Sequence, residues 1–449
     1  MHKRVTIIIL ICILSVLTGC NTTTNMKDVK KTVENQTSTK TENSIKNSEF
    51  PNYNELYNNT VEIEIIFDTE LAPIRSIKTV NIKDYKMISD ILTMIGNSKL
   101  ITDESSIKSM SGMAVKNNKM IFLEQNGDKK ELTFAFDDPA SAVGYIEIDG
   151  KKYNPDFSFF RYIRDFSEYN HFDTKIDKHT EELYDKYGWT IDYRINSTEV
   201  TLPSNLKHNA GEYPLKIYWA YNNELSKSIG LDYSRYLGKR VDVEILRLRE
   251  SLPEYMYPRI NARGIVLKLN DKIIGAYIDA GRHDSFACSL DRKTQKEITG
   301  KEWDSWIVDY VDYNDEIEKK LSGMNPEDII KEYYEAINNK DRKMQYACLT
   351  RCNLCNYLSS NMDNNVLMNK DYSAAFVGGE QNIKSAKVIE LKEMKGMDNP
   401  TGMVEYSVKI DLRFRKEITS SNGKQMRFII LKKESEKSGW RIQSVGTGP

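Results

Sequence analysis

NPEDIIKEYYEAINNKD (Asn325–Asp341) decides how the last quarter of this 449-residue chain is read. Asn325 suits a helix N-cap and Pro326 the first helical position, while Glu327 and Asp328 suit the positive end of the helix dipole. Ile329, Ile330, Tyr333, Tyr334 and Ile337 then recur at a spacing that lines one apolar face. A second helix is predicted to begin near Asp341. Four strand-like stretches follow, IKSAKVIELKEM, GMVEYSVKIDLRFRKEI, KQMRFIILKKE and GWRIQSVG.

An N-capped helix, a short second helix, long antiparallel strands and a closing GWRIQSVG together resemble the nuclear transport factor 2-like, or cystatin-like, α+β roll. More narrowly, they resemble domains of that type on lipoproteins of low-GC Gram-positive bacteria. The resemblance covers residues 323–449. It implies a cone-shaped pocket between helix and sheet, for which Tyr333, Tyr334, Tyr346 and Tyr406 are the lining candidates. Enzymes of that superfamily commonly place an Asp/His pair there. This block has no histidine, because the last one in the chain is His283.

Upstream, residues 56–170 read as an N-terminal α+β domain. VEIEIIF and IRSIKTVNI alternate as strands, and DYKMISDILTMIGN carries Ile88, Ile91, Leu92 and Ile95 at helical spacing. Asn126-Gly127 and Asp149-Gly150 mark hairpins. DFSFFRYIRDFSEY closes the block as an aromatic helix. The polar stretch 171–186 reads as a linker. Residues 187–312 read as a β-rich middle domain with strands WTIDYRI, PLKIYWAY and KRVDVEILRL and a hairpin turning at Asn270-Asp271. The fold class expected is multidomain α+β, with antiparallel sheets, packed helices and the C-terminal roll.

The first 55 residues carry an address. A basic head (His2, Lys3, Arg4), an apolar stretch from Val5 to Leu17 and small residues before Cys20 have the layout of a signal peptide, too short for a membrane span. Leu17-Thr18-Gly19-Cys20 looks like the lipobox of bacterial lipoproteins. That resemblance implies cleavage before Cys20 and a diacylglyceryl group on its sulfur. Residues 21–55, rich in Asn, Thr, Ser and Lys, are expected to be a disordered tether. The expected location is the extracytoplasmic face of the cell membrane.

Lys+Arg 64 against Asp+Glu 65 leaves a net charge of −1 and no basic run, so nucleic acid is not an expected partner. In ACLTRCNLC, Cys348, Cys352 and Cys355 fall at i, i+4 and i+7, on one helical face with Met344 and Leu358. A Cys-x₂-Cys pair can be redox-active or bind zinc, but the reading preferred is buried thiols filling that face. The acidic strings around Asp137-Asp138 and Asp309–Glu316 lack the alternation of a calcium loop. Neither metal nor cofactor is expected. The leading expectation is a non-catalytic lipoprotein that binds a protein partner, an envelope component or a small ligand. The rival is an envelope-acting hydrolase or thiol enzyme using His283 and Cys288 in GRHDSFACSL.

Overall fold

A computed structural model describes residues 48–68, 79–108, 115–136, 144–155, 157–168, 172–256, 262–281, 287–358, 367, 382–394, 402–417 and 421–447. Cys20 and His283 lie outside these residues, as do Asp137 and Asp138. The chain is α+β, and its described residues form three sheets.

The first sheet is antiparallel, in the order β2-β1-β4-β5-β6-β7-β3. Its strands are β1 (Thr60–Ile66), β2 (Thr79–Ile82), β3 (Lys99–Leu100), β4 (Val115–Glu124), β5 (Lys129–Phe136), β6 (Gly144–Ile148) and β7 (Lys151–Asn154). The expected hairpins join β4 to β5 and β6 to β7. The second turns through Asp149 and Gly150, both at positive φ, as a tight two-residue turn requires. The Tyr85–Gly96 helix is capped by the Asp84 side chain and buries Ile88, Ile91, Leu92 and Ile95, the four residues its periodicity pointed to. One boundary is corrected. Phe50 and Tyr53 are core residues, and a helix already spans Tyr53–Asn59, so the fold begins inside the stretch 21–55 expected to be tether. The Tyr53 ring lies where a Cβ on Gly96 would be, at 2.3 Å, so the two helices pack closely only because residue 96 is glycine.

The second sheet, in the order β11-β10-β9-β8, comprises β8 (Ile191–Thr201), β9 (Arg240–Leu248), β10 (Arg263–Leu269) and β11 (Lys272–Asp279). Both of its faces are covered. Val241, Val243 and Ile245 enter one core, and Leu246 and Leu248 enter another on the opposite side. Two expectations fail here. PLKIYWAY is the start of a helix, Leu215–Lys227, and not a strand. Its alternation was misleading because Ile217, Tyr218, Trp219, Ala220 and Tyr221 are all buried; a helix enclosed on every side shows no clean period. Residues 171–186 are not merely a linker either. Asp177 caps a Lys178–Lys186 helix whose Tyr184 is buried under β10 and donates to the Ile265 carbonyl at 3.1 Å.

The third sheet is a meander of β12 (Ile383–Glu393), β13 (Met403–Phe414), β14 (Gly423–Ser435) and β15 (Gly439–Gly446). The Pro326–Asn339 helix packs against it, capped by Asn325 as its sequence implied. Asn338 completes the edge of β12 by donating to the Ala386 carbonyl (2.7 Å) and accepting from its N–H (2.6 Å). The cysteines do not share one helical face. A helix at Arg342–Ala347 stops at Cys348, and a second runs from Arg351 to Leu358. Between them, Leu349 bridges to Ile442, and backbone bonds to Ile442 replace helical ones.

The sheets are joined through shared elements. From the Phe157–Glu168 helix, Phe159 packs edge-on against Phe134 of the first sheet, 6.2 Å between ring centres. From the same helix, Tyr162 packs 4.5 Å from Tyr193 of the second. Ala210, from the loop after β8, is buried in the core of the third sheet. The next residue, Gly211, has φ +73° and passes so close to the Lys343 carbonyl that a Cβ would stand 1.8 Å from its oxygen. Gly211→Ala is therefore expected to lower stability by more than ~2 kcal/mol, from the combined cost of positive φ and collision. The urea-unfolding midpoint measures it. Gly127→Ala, at an open turn with nothing nearby, should cost less.

Candidate functional site

Cys288 forms an isolated bridge with Ile278, exchanging two backbone hydrogen bonds of 2.8 Å at the edge of the second sheet. Its side chain is fully buried beside Trp189, Ile278 and Leu290. Burial pushes the thiol up to about 12, so it carries almost no thiolate at neutral pH and lacks the activation a nucleophile needs. His283 is not among the described residues.

The tyrosines divide. Tyr334, Tyr346 and Tyr406 are buried in the core of the third sheet, among Ile429, Leu431 and Ile442, where they act as packing. Tyr333 is half-buried against that core, with its ring 5.2 Å from that of Tyr334. Cys348 and Cys355 are buried and Cys352 is partly so, all three as free thiols. Burial pushes Cys348 and Cys352 up to about 12 and Cys355 higher still. Among the described residues, no group of three His, Cys, Asp or Glu side chains is placed to hold a metal.

Chemistry that sequence reading missed lies at the joints between sheets. Asp165, on the Phe157–Glu168 helix, meets Arg247 of β9 in a fork of 2.9 and 2.6 Å. Both side chains are 1% exposed. The Tyr193 hydroxyl donates to the same carboxylate at 2.7 Å. Burial pushes the Asp165 carboxyl up, but the Arg247 charge and hydrogen bonds outweigh it and hold it below its ordinary value. The sequence did carry a signal, a lone arginine in the alternating strand VDVEILRL and a lone aspartate in an aromatic helix.

The second joint centres on Arg351, at the start of its helix. Arg351 Nη2 donates to Glu318 at 2.9 Å, Nη1 pairs with Glu434 of β14, and Nε donates to His208 Nδ1 at 3.2 Å. Arg441 of β15 lies 3.2 Å from the other Glu318 oxygen. His208 belongs to the loop after β8, held by a parallel bridge to Val311. Because its Nδ1 accepts from Arg351, the ring proton sits on Nε2 and is donated to the Glu212 carbonyl, 3.0 Å away. Burial, with Arg351 and Lys216 nearby, lowers His208 to about 3. The ring is thus neutral, and Arg351 and His208 have their nitrogens engaged, while Glu318 Oε1 and Arg441 Nε and Nη2 are buried without a well-formed hydrogen bond. The geometry suits a clamp between the loop after β8 and the third sheet.

A histidine lowered from its ordinary value binds more protons unfolded than folded. Its neutral form therefore supports the fold above about pH 6.5, and that support drains away as pH falls toward 3. His208→Gln keeps an acceptor for Arg351 and a donor for Glu212. It should flatten the stability-against-pH curve between pH 6.5 and 4.5 by up to ~1.4 kcal/mol per pH unit relative to the parent. Urea unfolding at stepped pH measures the difference. Separately, native protein treated with an aromatic disulfide at pH 8 should release thiol slowly, with Cys352 first, and all described thiols promptly once unfolded.

No curated protein matches the chain. Residues 183–278, from the buried Tyr184 helix to the end of β11, match a domain of unknown function, DUF4830, and residues 327–446, from the capped helix to the end of β15, match another, DUF4829.

Proposed function

We propose that the protein is a lipid-anchored, extracytoplasmic binding protein whose folded body is joined to its anchor by a tether. The observation carrying this reading is the run from His2 to Cys20: basic head, apolar stretch, then Leu17-Thr18-Gly19-Cys20. Two acyl chains on one cysteine anchor stably where one is marginal, so a diacylglyceryl group is sufficient without a spanning helix. Among the described residues no helix is long and apolar enough to cross a membrane, so that run remains the candidate attachment.

Binding is favoured over thiol chemistry by the state of the described cysteines, all buried or partly buried with their thiols raised. A capped helix packed on a four-stranded antiparallel meander is the arrangement that the resemblance to the nuclear transport factor 2-like roll implies, and it supports that reading of residues 323–449. Half-buried Tyr333, beside the buried Tyr334, is the remaining lining candidate for a ligand or partner.

The test is metabolic labelling with a fatty acid, followed by membrane fractionation. The parent should incorporate label and sediment with membranes. Cys20→Ala should take up no label and leave the membrane fraction; a labelled Cys20→Ala protein would sink the proposal.

A further inference from the structure

The whole chain is nearly neutral, but residues 382–447 carry 14 Lys+Arg against 8 Asp+Glu. Positive charge is therefore concentrated in the third sheet. Val408, Ile410, Leu412 and Ile429 point into the core, so their neighbours in sequence point to the opposite face. On that outer face Lys387 stands opposite Asp411, which stands opposite Lys424. Lys409 stands between Glu390 and Met426, with no ion pair to Glu390, and Lys392 is opposite Ser407. Lys387, Lys392 and Lys424 are exposed, and Met426 is 43% exposed among them. Asp411 is engaged by Arg413 at 3.0 Å. Among the described residues, no carboxylate pairs with Lys387, Lys392, Lys409 or Lys424.

We infer that this outer face of the third sheet docks on anionic lipid headgroups of the membrane that holds the Cys20 anchor. The inference rests on the anchored reading above. Toward Glu405 and Lys432 this face is covered, with Lys432 paired to Asp304, but around Lys387, Lys392, Lys424 and Met426 it is exposed, which suits an array of phosphates in one plane better than a single small anion. Lysine stems also leave their ammonium groups free to follow that plane. Met426 stands where an apolar side chain can enter the headgroup boundary. Residues 21–47 separate Cys20 from the first described residue, and 27 residues reach at most about 95 Å. The tether thus keeps the body at high effective concentration near the surface, where weak electrostatic contacts are enough.

The test uses the chain from residue 20 onward with Cys20→Ser, which bears no lipid and retains all the described fold from Ser48. It is sedimented with vesicles of phosphatidylcholine alone or with one third phosphatidylglycerol, at low and at physiological salt. Binding is expected on the anionic vesicles only, weakening with salt as screening shortens the reach of the charges. Each lysine near an anionic surface contributes roughly fivefold, so Lys387→Gln, Lys392→Gln and Lys424→Gln together should weaken binding on the order of 100-fold. The variant's urea midpoint should match the parent's, since all three side chains are exposed. Equal binding to both vesicle types would overturn the inference, as would a triple variant that binds like the parent. Binding to soluble polyphosphate with none to vesicles would overturn it in favour of a soluble polyanion. Fatty-acid labelling reports on the anchor separately, so failure of one idea leaves the other standing.

Discussion

A guanidinium taken out of water needs a carboxylate taken out with it. In this chain Arg247 finds its carboxylate 82 residues away, on the helix that closes the first sheet. Breaking such a pair by removing one member leaves an uncompensated buried charge and typically costs about 3–5 kcal/mol. The pair as a whole is weaker support than that figure suggests, since a well-packed apolar pair can be equally stable. Its effect is to restrict choice: the Phe157–Glu168 helix can pack on the second sheet only in the register that brings Asp165 to Arg247. Tyr162 and Tyr193 come into contact in the same register. At the other joint, Arg351 imposes the same condition on Glu318 and Glu434, with neutral His208 filling its third side.

Local signals in the sequence were legible where a residue's own conformation sets the structure. Asp149-Gly150 and Asn270-Asp271 turn hairpins because these residues tolerate positive φ, and Asn325-Pro326 starts a helix because side chain and ring suit its first turn. Reading failed where tertiary surroundings decide. PLKIYWAY is buried on all sides, and its helix is recognisable only through the polar NNELSK that continues it. ACLTRCNLC keeps helical spacing on paper, but Ile442 offers backbone partners that interrupt the helix at residues 348–350. The clamp at Arg351 was illegible for a simpler reason: His208 and Arg351 are 143 positions apart, and neither is unusual in its own neighbourhood.

The same contrast governs function. The role proposed for Cys20 rests on the residues immediately before it, with no need for a fold. Cys288 and the cysteines from 348 to 355 look busier in the sequence, yet their surroundings keep them protonated. Of the polar groups enclosed by the described fold, the most conspicuous are committed to holding sheets together. The proposed binding role falls more easily on the surface, where Lys387, Lys392, Lys409 and Lys424 of the third sheet form no ion pair with a described carboxylate.

The close passage of Gly211 beneath Lys343 has a temporal side. A ribosome makes the loop after β8 more than a hundred residues before it makes the helix and strands that enclose Ala210. Until then that loop has no core to enter, and His208 has no arginine to face. The packing of Ala210 and the pairing of His208 with Arg351 must therefore wait until those later residues have been made.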